Sequence, residues 1–126
     1  MIDPTLITVK EFRLKLYPEN FAKVRAFYEE KLGFPVFHEW DNGPNNKGVM
    51  FSVGNTTFEL LSPPEDYKPV QGADVSWEVT DVKSLWEELK DNTPIVHDLR
   101  HNSWGDTSFR ITDPEGFHIS FFTKDK

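Results

Sequence analysis

The sequence predicts an α+β fold made of two consecutive modules, each with the element order strand, helix, strand, strand, strand. Short segments in which apolar and polar residues alternate predict half-buried strands. Each half also has one segment with apolar residues at helical spacing, which predicts one helix per module. A stretch with three prolines and several charges, residues 62–72, lies between the halves and is typical of a linker.

Length and charge narrow the possible classes of function. The chain has 126 residues, which favours a single domain over residues 1–126. Its 14 Lys and Arg against 21 Asp and Glu give a net charge of −7, which disfavours binding to nucleic acid or to anionic membranes. Cysteine is absent, which excludes disulfides, thiolate catalysis and Cys-based metal sites. Because no apolar run is long enough to span a bilayer and no signal peptide is visible, we expect a cytoplasmic protein.

The first module is predicted over residues 9–62. Asn20 follows a turn and is positioned to cap a helix whose apolar residues run to Leu32. Gly33 comes directly after that last apolar position, as expected for a left-handed C-terminal cap. The strands of this module are predicted at residues 11–16, 35–40, 49–53 and 57–61.

The second module is predicted over residues 73–123 and repeats the same order. Asp81 is positioned to cap a helix in which Val82, Leu85, Trp86 and Leu89 form one apolar stripe. The helix is expected to end in the turn-forming residues 91–94. The strands of this module are predicted at residues 74–79, from 95 onward, at 107–112 and at 117–123.

A fixed offset of 61 residues relates several landmarks of the two halves, which indicates an internal repeat of pattern and spacing. The paired landmarks are Asn20 with Asp81, Phe34 with Ile95, Met50 with Ile111, and Phe58 with Ile119.

Three stretches give the chain a resemblance to a known family. They are residues 26–34 (AFYEEKLGF), residues 75–81 (VSWEVTD), and Trp104-Gly105 followed by residues 113–116 (DPEG) and an apolar strand. In these motifs the chain resembles the vicinal oxygen chelate superfamily, which includes glyoxalase I, extradiol dioxygenases, and fosfomycin and bleomycin resistance proteins. With its paired halves, the resemblance covers nearly the whole chain.

The resemblance implies two βαβββ modules whose curved mixed sheets surround one cup that binds a small molecule. It also implies a homodimer, because small members of this group commonly pair. In metal-dependent members, the first and fourth strands of each module each supply one metal ligand to the cup. These positions fall on Arg13, Glu59, Asp74 and Ser120.

Those four residues are a poor ligand set for a divalent metal. Glu59 is a usual ligand and Asp74 an atypical one, whereas Arg13 has no free lone pair and Ser120 ligates transition metals weakly. We therefore predict no cofactor, and expect Arg13 to pair with Glu59 or Asp74 in the space that a metal fills in relatives. A divalent metal stays possible as a displaced site made of Glu59, Asp74 and His118.

Strand alternation divides the side chains between two faces of each sheet. The face toward the helices is predicted to contain Leu14, Leu16, Phe58, Leu60, Val75, Trp77, Val79, Ile119 and Phe121. The opposite face, which forms the cup, is predicted to contain Arg13, Lys15, Thr57, Glu59, Leu61, Asp74, Ser76, Glu78, His118, Ser120 and Phe122.

Two tryptophans are added to the candidate ligand-binding residues. Trp40 ends a strand beside a loop rich in Gly and Asn, and Trp104 precedes a strand. A purely structural role is the alternative for Trp104. The candidate ligand-binding residues are therefore Arg13, Lys15, Trp40, Glu59, Asp74, Ser76, Glu78, Trp104, His118, Ser120 and Phe122.

Three hypotheses of function follow. The first is a protein like the bleomycin resistance proteins that binds a small organic molecule without the usual metal, and an acidic, aromatic cup suits a cationic aromatic ligand. The second is a metal-dependent lyase, isomerase or dioxygenase acting on a vicinal-oxygen substrate. The third is metal-free catalysis, with His118 or Glu59 as the base and Arg13 holding an anionic substrate.

Overall fold

The computed structural model of the chain describes residues 1–65, 67–68 and 71–126. The chain forms two compact units, residues 1–69 and 70–126. Each unit contains one four-stranded mixed sheet and one principal helix, which confirms the predicted fold class. Part of the predicted linker, residues 66, 69 and 70, lies outside the described residues, and the module boundaries stay a prediction.

The first unit begins with a short 3-10 helix, Pro4–Leu6, and an irregular segment. Its sheet has the order β1-β4-β3-β2, in which β1 is parallel to β4 and the other neighbours are antiparallel. Helix α1 packs on β4. The elements are β1 Arg13–Leu16, α1 Phe21–Ala26 with a π-helical continuation Phe27–Lys31, β2 Val36–Asp41, β3 Lys47–Val53 and β4 Thr56–Leu61.

The second unit repeats this arrangement. Its sheet has the order β5-β8-β7-β6, with β5 parallel to β8, and its helix packs on β7 and β8. The elements are β5 Asp74–Glu78, α2 Val82–Leu89, β6 Ile95–Asn102, β7 Asp106–Thr112 and β8 His118–Lys124. Every predicted strand is present, and each observed boundary lies within two residues of the predicted one.

The predicted helix caps are confirmed. The Asn20 side chain accepts a hydrogen bond of 3.2 Å from the Lys23 amide, and Asp81 accepts one of 3.1 Å from the Ser84 amide. Gly33 has a φ of 73°, the left-handed conformation that favours glycine. These caps satisfy amide groups that the first turn of a helix leaves without partners.

The second half of the first helix differs from the α-helix that its spacing predicts. The Leu32 amide bonds to the Phe27 carbonyl, five residues back, which defines a π-helical turn. Two consecutive aromatic residues in this turn, Phe27 and Tyr28, are both buried, and the Tyr28 and Phe58 ring centroids are 4.6 Å apart. A wider turn suits the burial of two adjacent large side chains, which the spacing of an α-helix directs to different faces.

The apolar faces of the sheets form the two cores, as alternation predicts. Phe58 and Leu60 are buried in the first unit, and Ile119 and Phe121 in the second. The edge-strand residues on these faces, Leu14, Leu16, Val75 and Trp77, are half-buried. Trp86 is also half-buried and packs its ring 5.2 Å from that of Phe109.

The single repeat offset is only partly correct. It holds for the helix caps and for Phe58 with Ile119, but the register pairs Met50 with Glu59 and Arg110 with Ser120. The residue equivalent to Met50 is therefore Arg110, not Ile111, because four residues separate the paired Ser52 and Thr57 in the first unit and five separate the equivalent Thr112 and His118 in the second. The pairing of Phe34 with Ile95 is wrong for a similar reason.

Pro35 and Pro94 are the equivalent residues where the chain enters β2 and β6. Their carbonyl groups accept hydrogen bonds from the amides of Ser52 and Thr112, respectively. Each proline directly precedes an edge strand of its sheet, where its missing N–H leaves no ladder bond unmade.

The cap of α2 gives a test by pH. The Ser84 hydroxyl and amide donate to Asp81 and hold the pKa of that carboxyl below its ordinary value. A carboxyl with a lowered folded-state pKa stabilises the fold above its unfolded pKa, and this stabilisation is lost as pH falls through the folded-state pKa. We expect Asp81→Ala to lower the urea midpoint at neutral pH, and the difference from the parent protein to shrink in strong acid.

Asp91→Ala is the matched control, because this carboxyl lies just beyond the other end of α2 and caps no amide of the first turn. It should not lower the urea midpoint. A difference between Asp81→Ala and the parent that grows on acidification would contradict the capping role.

Candidate functional site

The face of the first sheet opposite α1 is polar, and its centre is β4. The register places Arg13, Lys15, Thr57, Glu59 and Leu61 on this face, as predicted. It adds residues of β3 and β2 that pair with them across the antiparallel ladders, namely Ser52, Met50, Gly48, His38 and Trp40.

Glu59 is a buried carboxylate with a guanidinium partner. It is 3% exposed, and Arg13 Nη1 donates to Glu59 Oε1 at 2.9 Å. Arg13 also donates to both oxygens of Glu11, at 3.0 and 3.2 Å, and Glu11 accepts a further bond of 3.1 Å from the Thr57 hydroxyl. Of the two pairings expected for Arg13, the structure therefore has the one with Glu59.

The carboxylates of Glu11 and Glu59 stabilise the charged form of Arg13. The hydrogen bonds to Glu11 and then to Glu59 raise the pKa of the Arg13 guanidinium. The guanidinium in turn lowers the pKa of Glu11, with a further contribution from Thr57. Two carboxylates thus share one cation, and three of its five N–H donors are used. Lys15 pairs in register with Glu59 but is exposed and makes no ion pair in the described part of the chain.

Trp40 lies on the same face. Its ring approaches Gly48 so closely that a Cβ at that position would overlap ring atoms, so a larger residue there would displace the ring. The His38 ring lies 5.6 Å from the Trp40 ring, tilted by 36°. Trp40 also lines an open cavity of about 400 Å³ whose other residues are Phe21, Arg25, Glu39, Asp41 and Lys47.

The second sheet also has a polar face opposite its helix. As predicted, Asp74, Ser76 and Glu78 alternate along β5, and His118, Ser120 and Phe122 lie beside them on β8. The next two strands add residues that are not among the candidate ligand-binding residues. These are Ser108 and Arg110 on β7, and His97 and Arg100 on β6.

Arg110 is the main residue of this face that sequence reasoning missed. Its Nε donates to the Ser120 hydroxyl at 2.9 Å, and its Nη2 lies 3.5 Å from Asp74 Oδ2. A fixed repeat offset assigned the corresponding position to Ile111, whose side chain is buried on the opposite face. If the alternation of faces is counted backward from Ser120 across the turn at residues 113–117, Arg110 is the residue that shares this face.

Trp104 projects from the end of this sheet. Its ring is 72% exposed, while its Nε1 donates to Asp106 Oδ2 at 3.2 Å. Asp106 is held by the buried Asn102, whose amide donates to Asp106 and to the Ser108 hydroxyl, both at 2.8 Å. Trp104 is therefore an oriented, exposed ring rather than part of a core.

In each unit a guanidinium engages the positions that the resemblance assigns to metal ligands. A guanidinium occupies the first position of the first module and is bonded to Glu59, and a second guanidinium is bonded to Ser120 and lies near Asp74. A fixed positive charge among the donors opposes a divalent cation. Among residues 1–65, 67–68 and 71–126, no three His, Asp or Glu side chains form a group suited to a metal ion.

Two βαβββ units with one polar sheet face each define the glyoxalase and bleomycin resistance fold. A family model described as "Glyoxalase/Bleomycin resistance protein/Dioxygenase superfamily" matches residues 10–121. The chain belongs to this superfamily. No protein with a curated functional description matches it. In the part of the chain that the structure describes, no helix is long and apolar enough to cross a membrane.

Solved structures show the same fold at low sequence identity. The antibiotic binding protein TnmS3 from Streptomyces sp. CB03234 has a TM-score of 0.78 and 16% identity, covering 94% of this chain and 98% of that one. A lactoylglutathione lyase from Agrobacterium tumefaciens has a TM-score of 0.70 and 18% identity, covering 89% and 91%. A superfamily member from Sphaerobacter thermophilus has a TM-score of 0.75 and 17% identity, covering 94% and 99%.

The Arg13–Glu59 pair predicts a coupled effect on stability. We expect Arg13→Gln to lower the melting temperature by several degrees, because it leaves the buried Glu59 carboxylate without its cation. Adding Glu59→Gln should restore part of the loss, since an uncharged amide needs no cation. Thermal unfolding of the two single variants and the double variant measures the coupling.

Lys15→Gln is the control for that cycle. It removes one positive charge from the same strand and face, where the amine has no ion pair in the described residues. It should change the melting temperature little. Additive effects of Arg13→Gln and Glu59→Gln would show that the pair contributes no specific stability.

Gly48 provides a test of the Trp40 arrangement. We expect Gly48→Ala to destabilise the protein by about 1–3 kcal/mol, the usual range for an inserted methyl without space. In a Trp40→Leu background the same substitution should have a much smaller effect, because the overlapping ring is gone. Urea unfolding followed by tryptophan fluorescence measures both, with Ser52→Ala on the same strand and face as the control. An equal loss of stability in the parent and in the Trp40→Leu background would contradict the contact between Trp40 and Gly48.

Proposed function

We propose that this protein binds a small organic molecule on the polar faces of its sheets, without the metal centre of metal-dependent relatives. The observation that supports it most directly is the pair of guanidinium groups, Arg13 and Arg110, that engage the residues at the metal-ligand positions. A polar face with oriented donors and an aromatic ring is suited to holding an organic ligand.

The fold relatives support ligand binding only as a class. TnmS3 is an antibiotic binding protein, so this fold can hold an organic molecule. At 16% identity the ligand does not transfer to this chain. The aromatic contribution here comes from Trp40, which contacts Gly48, and from the exposed Trp104.

The metal-dependent alternative is a lyase, isomerase or dioxygenase, the first of which describes the lactoylglutathione lyase of the same fold. It requires ligands that are free to approach a metal. In this chain it would use the displaced set Glu59, Asp74 and His118, but Glu59 is already bonded to Arg13. We place that alternative second.

Two further expectations accompany the proposal. We propose a homodimer, because small members of the superfamily commonly pair, and a cytoplasmic location. Light scattering on the eluting peak of a size-exclusion column tests the first, and a monomer at all concentrations would contradict it. The negative charge supports the absence of nucleic acid from the partners.

Thermal unfolding tests the proposal against its alternative. The purified protein is treated with EDTA, then titrated with nickel, zinc, manganese and iron(II), and separately with a library of small organic molecules. A ligand at about 100 times its dissociation constant stabilises the folded state by about 2.7 kcal/mol, which raises the melting temperature by several degrees.

We expect EDTA to have no effect and at least one organic compound to raise the melting temperature saturably. If EDTA lowers it and one metal restores it, the metal-free proposal is wrong. In that case Glu59→Gln, Asp74→Asn and His118→Gln should each weaken the metal effect. If neither a metal nor a compound raises it, the binding proposal itself fails.

A further inference from the structure

We propose that Arg110 is the centre of an oxyanion-binding site on the polar face of the second sheet, which takes a carboxylate or phosphate group of a small ligand. The inference rests on the proposed function, because it names the chemical class of part of the ligand. It differs from the hypothesis in which Arg13 holds an anionic substrate, and it assigns that role to a residue absent from the sequence-based candidates.

Arg110 is central in its sheet. It lies on the inner strand β7, in a row that continues to Ser120 and Ser76 on one side and His97 on the other. Its side chain is 32% exposed, so the cation is accessible but partly removed from water. Charge-assisted hydrogen bonds are stronger in such partly desolvated positions than at a fully hydrated surface.

The Arg110 guanidinium has a fixed orientation, but not all of its N–H donors are used in the described residues. Its Nε donates to the hydroxyl of Ser120, which is 7% exposed and therefore a fixed acceptor. Within the described residues this is its one hydrogen bond, which leaves the two Nη groups with N–H donors. Arg13 differs sharply, since three bonds to two glutamates use its guanidinium. Of these two arginines, Arg110 is the one that can receive a ligand anion.

The charges around Arg110 favour an anion rather than a cation. Asp74 is the nearest carboxylate, and its 3.5 Å separation from Nη2 makes it a loose partner. Two further carboxylates of this face have other partners: Glu78 lies 3.9 Å from the Lys124 amine, and Asp106 accepts hydrogen bonds from Asn102 and Trp104. His97 and Arg100 on β6 and His118 on β8 add donors around the same row.

The shape of the Arg110 guanidinium suits a planar or tetrahedral oxyanion. A guanidinium presents parallel N–H donors that match two oxygens of a carboxylate or a phosphate. The bond from Nε to Ser120 fixes one side of the guanidinium, and Nη2 points toward Asp74 on β5, so the Nη1–Nη2 edge carries the remaining N–H donors. An oxyanion on that edge would form two charge-assisted bonds, for which an uncharged amide of equal shape is a poor substitute.

The test uses three probes and nuclear magnetic resonance on the full chain labelled with ¹⁵N. The probes are benzoate, its uncharged isostere benzamide, and inorganic phosphate. We expect saturable shifts of the Arg110 Nε–H signal and of the Ser76, Ser120 and His97 amides with benzoate or phosphate. Benzamide should bind at least about tenfold more weakly, the effect of one lost charge-assisted interaction.

Matched variants test whether the anion binds at Arg110. Arg110→Gln should weaken benzoate binding by about tenfold or more, and Arg110→Lys, which keeps the charge but loses the paired donors, by a smaller factor. Lys83→Gln is the control, because it removes one positive charge from the exposed side of α2 and should leave benzoate binding unchanged. Arg110→Lys keeps the test informative if Arg110→Gln fails to fold.

The probes also separate the possible sources of the anion. Tighter binding of benzoate than of phosphate indicates an organic carboxylate, and the reverse indicates a phosphorylated ligand; either result supports the site. Equal binding of benzoate and benzamide, binding unchanged in Arg110→Lys, or no saturable shift with either anion would overturn it. If library compounds still raise the melting temperature in that case, the proposed function stands without the oxyanion site.

Discussion

Parallel pairing between the first and last strands of each unit is the constraint on which the rest of the structure depends. Parallel neighbours cannot be joined by a tight hairpin and need a long crossover. In both units the crossover begins with a helix, which covers one face of the sheet. The other face is then available for polar side chains, and the parallel register decides which of them are neighbours. Lys15 lies beside Glu59 and Ser76 beside Ser120 because β1 and β5 run alongside β4 and β8 in this way.

Each unit places an arginine beside the positions that the resemblance assigns to metal ligands, by different routes. In the first unit Arg13 comes from β1 and is neutralised by Glu11 and by the buried Glu59. In the second unit Arg110 comes from β7 and bonds to an uncharged hydroxyl. A buried carboxylate needs a counterion, whereas a buried hydroxyl does not. This difference explains why Arg13 is bonded to two carboxylates in the first unit, whereas the one hydrogen bond of Arg110 within the described residues goes to a hydroxyl.

Much of the fold follows from local sequence features, and the site follows only in part. Helix starts at Asn20 and Asp81 could be predicted because a cap depends on one side chain and amides three residues away. Face assignments along a strand could be predicted because alternation is a property of the strand itself. Arg110 could not be found from a fixed repeat, because one extra residue in a turn shifts the side chain that occupies a given face. The exposure of Trp104 depends on its bond to Asp106 and on the buried Asn102, which spacing does not reveal.

A net charge of −7 and an oxyanion site on the same chain are compatible, because the two act over different distances. Exposed charges are screened over about 8 Å at physiological ionic strength, so the overall charge mainly slows the approach of an anion. At the site itself the interaction is decided by groups within hydrogen-bonding distance. Arg110 has spare donors there, and its nearest carboxylate, Asp74, is at 3.5 Å. An incoming oxyanion therefore competes with a single loose partner and with water, and it gains two parallel bonds that Asp74 does not make.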